Sequence, residues 1–378
     1  MDFKIGEFKK LKHINFGKQS ISIELKEELQ QKYPNIDFDV VATVNVYEKE
    51  VLDNIKELDL KEVNVDNKLK NILKKLPQLE SVDLTGVELT EKQKLELVNE
   101  LPNIYFIWNV KILDKEVPSS TTKLDFSNQK IEKLDEFVNE LKLIKKLSYL
   151  NMSNTNLTNE ELDSIRKQLP GLKVVWTIHF GVWSMSTDTI SFSTLVGGFH
   201  YVRLTNEDIS VLKYCTDLKA LDLGHQDVTD LSIITDNFPD IRVLIMADNK
   251  KLSDLKPLTK LKHLHYLELF LDNITDITPL TELKELVDLN LSFNRSLTDI
   301  TPLIENPLPM LERIWLPGCP IPEEQIELLK KAYPNAKIVT KGNGSTGDGW
   351  RSIDRYQAMM DMFRKRNYIS DIFLEYDK

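Results

Sequence analysis

Leu286-Val287-Asp288-Leu289-Asn290-Leu291-Ser292-Phe293-Asn294 is the stretch that decides the fold. It reads L-x-x-L-x-L-x-x-N. In its L-x-L centre a period of two sends Leu289 and Leu291 to one side of a strand and Asn290 to the other. The closing Asn suits a turn, because its amide can bond backbone groups that the turn leaves unpaired. The centre recurs as Leu221-Asp222-Leu223, Leu244-Ile245-Met246, Leu267-Glu268-Leu269 and Ile314-Trp315-Leu316. The spacing is roughly 22 residues, within the 20–50 that mark repeat architectures. Gln226, Asn249, Asp272, Asn294 and Cys319 hold the turn position and are mostly polar. The backs of the units repeat as well. Ile274-Thr275-Asp276-Ile277-Thr278-Pro279-Leu280 and Leu297-Thr298-Asp299-Ile300-Thr301-Pro302-Leu303 are near copies. Thr-Asp offers a cap, and Pro suits the first position of a short helical turn.

Toward the N-terminus a longer period appears. Leu11, Leu79 and Leu147 stand 68 residues apart, as do Ile14, Val82 and Leu150, and Pro34, Pro102 and Pro170. In these copies the back is more helical: Thr158-Asn159-Glu160-Glu161 reads as a capped start ending at Pro170. Residues 177–201 fit the register poorly and are expected to hold an insertion or hairpin. Leucine is in excess, 55 of 378 residues, as a continuous stacked core requires.

This pattern is that of the leucine-rich repeat, and the Thr-Asp-Ile-Thr-Pro-Leu units resemble those of the internalin type. Tyr214-Cys215-Thr216-Asp217-Leu218, Leu221-Asp222-Leu223-Gly224-His225, Tyr266-Leu267-Glu268-Leu269-Phe270 and Gly349-Trp350-Arg351 look like surface or secreted repeat proteins of low-GC Gram-positive bacteria. The fold so implied is α/β: a right-handed solenoid with a parallel β-sheet on its concave face and short helices or 3-10 turns on its convex face. The resemblance also implies a secreted or cell-surface protein that binds a partner, usually a protein; a cytoplasmic location is the alternative. The solenoid is expected over residues 1–341, followed at 342–378 by a glycine-rich linker and a C-terminal capping helix. Ile353, Tyr356, Met359, Met360 and Phe363 fall on one face of that helix. A cap over the last repeat is one reading of the stripe, and a partner-binding helix is the other. The first copy begins at Leu11, and ten residues are short for a cap, so Met1 is read as the start of a trimmed mature form.

The formal net charge of −10 argues against a nucleic-acid clamp and against an anionic membrane. No stretch approaches the ~20 apolar residues of a membrane span. Gly342-x-Gly344-x-x-Gly347 matches a dinucleotide fingerprint, but too little chain follows for a βαβ unit. His263 and His265 lie two apart without the spacing of a metal motif. Cys215 and Cys319 lie about four repeats, hence about 20 Å, apart, too far for a disulfide. No cofactor is expected, and no nucleophile motif points to an enzyme.

What remains is the surface grid of residues between and beside the core leucines. Most are small or polar, and the exceptions cluster: Ile245, Tyr266, Phe270 and Trp315, with Phe293 next along. Aromatics grouped with Arg and carboxylates make a binding hot spot. The expected partner-binding site is therefore Arg203, Asp222, Ile245, Tyr266, Glu268, Phe270, Phe293 and Trp315, on a monomeric, non-enzymatic protein–protein interaction scaffold. Capping segments or side-chain tilt could instead cover these residues. A carbohydrate-binding module is the alternative function, since aromatics beside carboxylates also stack on sugars.

Overall fold

The computed structural model describes residue 5 and residues 10–196 and 202–367. They form two compact units, one from Met1–Asn151 and Ser164–Val174, the other from Met152–Asp163 and Val175–Lys378.

The 68-residue period is a structural one. Helices Ile23–Lys32, Glu91–Glu100 and Asn159–Gln168 begin 68 residues apart (91 − 23 and 159 − 91). Each follows a hydroxyl residue: Ser22 Oγ accepts from Leu25 N at 3.3 Å, Thr90 Oγ1 from Gln93 N at 3.3 Å, and Thr158 Oγ1 from Glu161 N at 3.2 Å. Gln93 and Glu161 return bonds to Thr90 N and Thr158 N at 2.9 and 2.8 Å, closing two capping boxes. After each helix comes an antiparallel hairpin: Asp37–Val46 with Lys49–Leu52, Asn109–Ile112 with Lys115–Pro118, and Thr177–Phe180 with Trp183–Ser186. A residue with positive φ turns each one: Tyr47, Leu113 and Gly181. The third hairpin explains why residues 177–201 break the register. Their remainder from 197 through Tyr201 lies outside the described residues.

In the first unit the repeat strands pair in parallel in short sheets, such as Glu57–Asp59, Ser81–Asp83 and Tyr105–Ile107. The second unit holds a seven-stranded parallel sheet of Ser191–Ser193, Ala220–Asp222, Val243–Ile245, Tyr266–Glu268, Asp288–Asn290, Arg313–Trp315 and Lys337–Val339. Its register aligns Leu221, Leu244, Leu267, Leu289, Ile314 and Ile338. One strand per unit, all parallel and in register, is the leucine-rich-repeat arrangement.

Two columns of side chains fix the turns. Asn294 Nδ2 donates to Leu269 O (2.7 Å) and Leu291 O (2.8 Å), while its Oδ1 accepts from Ile274 N (3.0 Å). Asn249 repeats the set on Leu223 O, Met246 O and Val228 N. Every such bond satisfies a buried backbone group that the corner would otherwise orphan. On the backs, Asp230, Asp254, Asp276 and Asp299 each accept from the backbone N–H two residues on, at 2.8–2.9 Å. Hydrogen bonds from the Thr278 and Thr301 side chains, with these backbone bonds, hold the Asp276 and Asp299 carboxyls below the usual carboxylate range, and the backbone and side chain of Ser232 do so for Asp230.

The C-terminal helix, Asp354–Lys365, differs from expectation. It packs on the sheet face opposite the leucines, where Tyr356, Met359, Met362 and Phe363 join Ala220, Val243, Ile245, Ala247, Tyr266, Phe270 and Trp315 in one buried cluster. It therefore covers a broad face of the sheet, not only the last repeat. Its buried stripe includes Met362, while Met360 is only partly buried against the cluster. Residues 368–378 of the expected tail lie outside the described residues.

Candidate functional site

Because side chains alternate along a strand, the residues flanking the core leucines share one sheet face. Six of the eight expected site residues lie there and are buried: Asp222, Ile245, Tyr266, Glu268, Phe270 and Trp315. The exposed patch expected from sequence is thus covered, and the cover is the chain's own C-terminal segment. Its path is recorded in bonds running from the last strand to the first. Lys337 Nζ donates to Asp348 O (3.2 Å), Trp315 Nε1 to Gly347 O (3.1 Å) and Asn290 Nδ2 to Ser345 O (2.8 Å). At the far end Ser191 Oγ donates to Met362 O (3.0 Å).

Trp350 is the central anchor. It is fully buried, and its ring centroid lies 5.6 Å from that of Tyr266 and 5.1 Å from that of Trp315. Its Nε1 donates to Glu268 Oε1 at 2.7 Å, and the Tyr266 hydroxyl donates to the same oxygen. Asp222 accepts from Ser193 Oγ (2.6 Å) and Gly224 N (2.9 Å). Burial raises the pKa of both Asp222 and Glu268, outweighing the hydrogen bonds that favour their anions. Asp288 carries the ionic part of the contact: Arg313 Nε reaches its Oδ1 at 2.6 Å, and Arg355 grips both oxygens at 2.9 Å. Arg313 also donates to Trp350 O (3.0 Å), with its guanidinium 4.3 Å above the Trp350 ring.

Arg203 and Phe293 are the two expected residues that stay partly accessible: Arg203 lies just before helix Asn206–Ile209, and Phe293 lies in the turn that follows strand Asp288–Asn290. There the residue just before the Asn column takes a left-handed backbone in every unit of the second sheet's core: His225 (φ 59°), Asp248 (57°), Leu271 (61°), Phe293 (59°) and Gly318 (75°). Successive members are joined through the sheet edge, for example by Leu271 N to Ser292 O (2.9 Å) and Phe293 N to Pro317 O (2.7 Å). Arg203 approaches Asp227 and Asp248 at 3.4 Å, and His225 Nδ1 pairs with Asp248 Oδ2 at 2.9 Å. The result is a ridge with a charged half and an apolar half. Leu271 is 36% exposed. The surface grid did not include Leu271. Its signal is a bulky residue at a turn position that Gly318 and Asn154 fill elsewhere.

The other candidates resolve without new chemistry. His263 Nδ1 and Arg242 Nη1 both face Glu285, at 3.1 and 3.4 Å. Among the described residues no group of three or more His, Cys, Asp or Glu is placed to hold a metal. Among the described residues Cys215 and Cys319 form no disulfide, and burial pushes the Cys319 thiol up to about 11. Residues 342–347 belong to the segment crossing the sheet, where Gly347 N donates to Gly344 O. No helix among the described residues is long and apolar enough to cross a membrane.

No family model and no curated protein sequence matches the chain. Among solved structures it is similar to two internalins of Listeria monocytogenes. One is 20% identical over 61% of this chain and 87% of that chain, with a TM-score of 0.33. The other is 18% identical over 86% and 92%, with a TM-score of 0.31. A leucine-rich-repeat protein of Leptospira interrogans is 20% identical over 89% and 92%, with a TM-score of 0.36.

Proposed function

We propose that the second unit is a non-enzymatic protein-binding scaffold whose contact surface is the ridge of Arg203, His225, Asp248, Leu271 and Phe293. The observation that carries this reading is the backbone of Leu271 and Phe293. A non-glycine residue in the left-handed region costs about 1–2 kcal/mol, and two bulky apolar side chains bear that cost at the surface side by side. Strain of this kind, in residues the fold does not need large, points to a role outside the fold. An apolar pair flanked by Arg and carboxylates also has the composition of an interface centre with its polar rim. The other six expected residues enter a contact only in place of the C-terminal segment. Carbohydrate binding finds less support, because Tyr266, Phe270 and Trp315 offer sugars no open platform. A secreted or cell-surface setting accompanies the proposal on the resemblance of the repeats alone.

The test separates stability from binding. Leu271→Asn gives the left-handed position a residue that tolerates it, so thermal stability holds or rises while capture of a cross-linked protein partner falls tenfold or more. Phe293→Ala should lose capture similarly. Full capture by both variants refutes the ridge.

A further inference from the structure

The contact between the C-terminal segment and the sheet is unlike the rest of the core. The leucine side of the same sheet is apolar throughout, with Leu221, Leu244, Leu267, Leu289 and Ile314 fully buried. The opposite side buries Asp222, Glu268, Asp288 and Arg313 beneath the segment. Its matching groups are Trp350, Arg355 and the carbonyls of Ser345, Gly347, Trp350 and Met362. Aromatic anchors, a gripped ion pair and side chain-to-backbone bonds are how two separate surfaces recognise each other. They also select their occupant: with the segment away these groups are hydrated, and only a partner that matches them can displace that water without an uncompensated desolvation cost.

The tether permits exchange. Between strand Lys337–Val339 and helix Asp354–Lys365 lie 14 residues, 340 to 353, including glycines 342, 344, 347 and 349. Fully extended they reach roughly 45 Å, enough to leave one sheet for another. In the closed form this linker is folded on itself, and Asp348 is held at φ 54°.

We propose that residues 342–367 are an exchangeable arm, and that the sheet face holding it accepts the same arm from a second copy of this chain. Two copies that trade arms keep every contact of the closed form, so the dimer differs from two monomers mainly in association entropy. A flexible tether supplies its own arm at roughly millimolar effective concentration, so the wild-type protein at micromolar concentration stays closed and monomeric. Exchange takes over when closure in cis is blocked and closure in trans is not.

A charge swap creates that condition in the full-length chain. Arg355→Asp sets the arm against its own Asp288, and Asp288→Arg sets the face against its own Arg355. Each variant alone is expected to run near 43.8 kDa by light scattering. Mixed in equal amounts they should form a species of twice that mass, since each arm finds its opposite charge only on the other copy. A mixture that keeps the monomer mass, while both variants retain the wild-type circular dichroism, overturns the proposal. Because Asp288→Arg also faces Arg313, a second pair repeats the test. Ala220→Trp fills the face beneath the arm, and it is mixed with Arg355→Asp. In this pair only the arm of the Ala220→Trp copy can dock, on the open face of the Arg355→Asp copy, and a doubled mass or its absence is read as before. Neither pair touches Leu271 or Phe293, so failure here leaves the ridge standing.

Discussion

Asp272→Asn should stabilise the protein, and the size of the gain follows from the turn column. Asp272 stands where Asn249 and Asn294 stand in neighbouring units, but a carboxylate lacks the Nδ2 donor that those residues spend on two carbonyls. Its Oδ1 accepts from Asn249 N at 2.7 Å, and its Oδ2 has no hydrogen-bond partner among the described residues. Burial, with Asp248 nearby, pushes the carboxyl from 3.8 up to about 9. The folded state thus binds a proton that the unfolded chain has released at neutral pH. A raised folded pKa means that the stabilisation is complete below about pH 4 and is lost as pH rises through about 9. At pH 7 the loss is of order 3.2 pKa units at 1.36 kcal/mol each, about 4 kcal/mol as an upper value. Asparagine has no such proton to bind, and its amide can donate toward Leu269 O and Met246 O. Asp272→Asn should therefore gain roughly 2–4 kcal/mol at pH 7, or roughly 5–15 °C in the melting of the second unit. Near pH 4 the gain should shrink to the hydrogen-bond contribution alone, about 1 kcal/mol. Thermal melts of both proteins from pH 4 to 9 read the effect. A difference that is constant with pH, or a destabilised variant, refutes the reasoning.

Gly318→Ala should destabilise by roughly 2–3 kcal/mol, since φ is 75° and a Cβ would meet Phe293 Cδ1 at 2.7 Å. In urea unfolding, Phe293→Ala in the same chain should recover the steric part but not the backbone part. Thr90→Ala removes the Oγ1 acceptor of a capping box and should cost about 1 kcal/mol in unfolding of the first unit.

Much of the fold was legible because its signals are local. The L-x-L centres place one strand each, the hydroxyl residues at 22, 90 and 158 start the helices, and the Asn column needs only its own neighbours to form its bonds. The three hairpins were harder to read. Their strands of about four residues carry too short an alternation to stand out beside the leucines. The site shows where sequence reading runs out. Two apolar sets lacked partners: the grid of Ile245, Tyr266, Phe270 and Trp315, and the helical stripe of Tyr356, Met359 and Phe363. Periodicity says that each must be covered. It does not say that each covers the other, because that pairing spans roughly a hundred residues of chain and depends on a glycine linker turning back. Leu271 was missed for a different reason: the left-handed conformation that makes it informative is a backbone property, visible only once the turn is built.

Hydrogen–deuterium exchange over residues 354–365 tests the central claim most directly. A helix of twelve residues has little stability alone in water. Docked on the sheet, its amides should exchange many-fold more slowly than those of an undocked helix, by release of the arm while the strand around Leu289 stays protected. Exchange of the helix within seconds, with the strands still protected, would contradict the account.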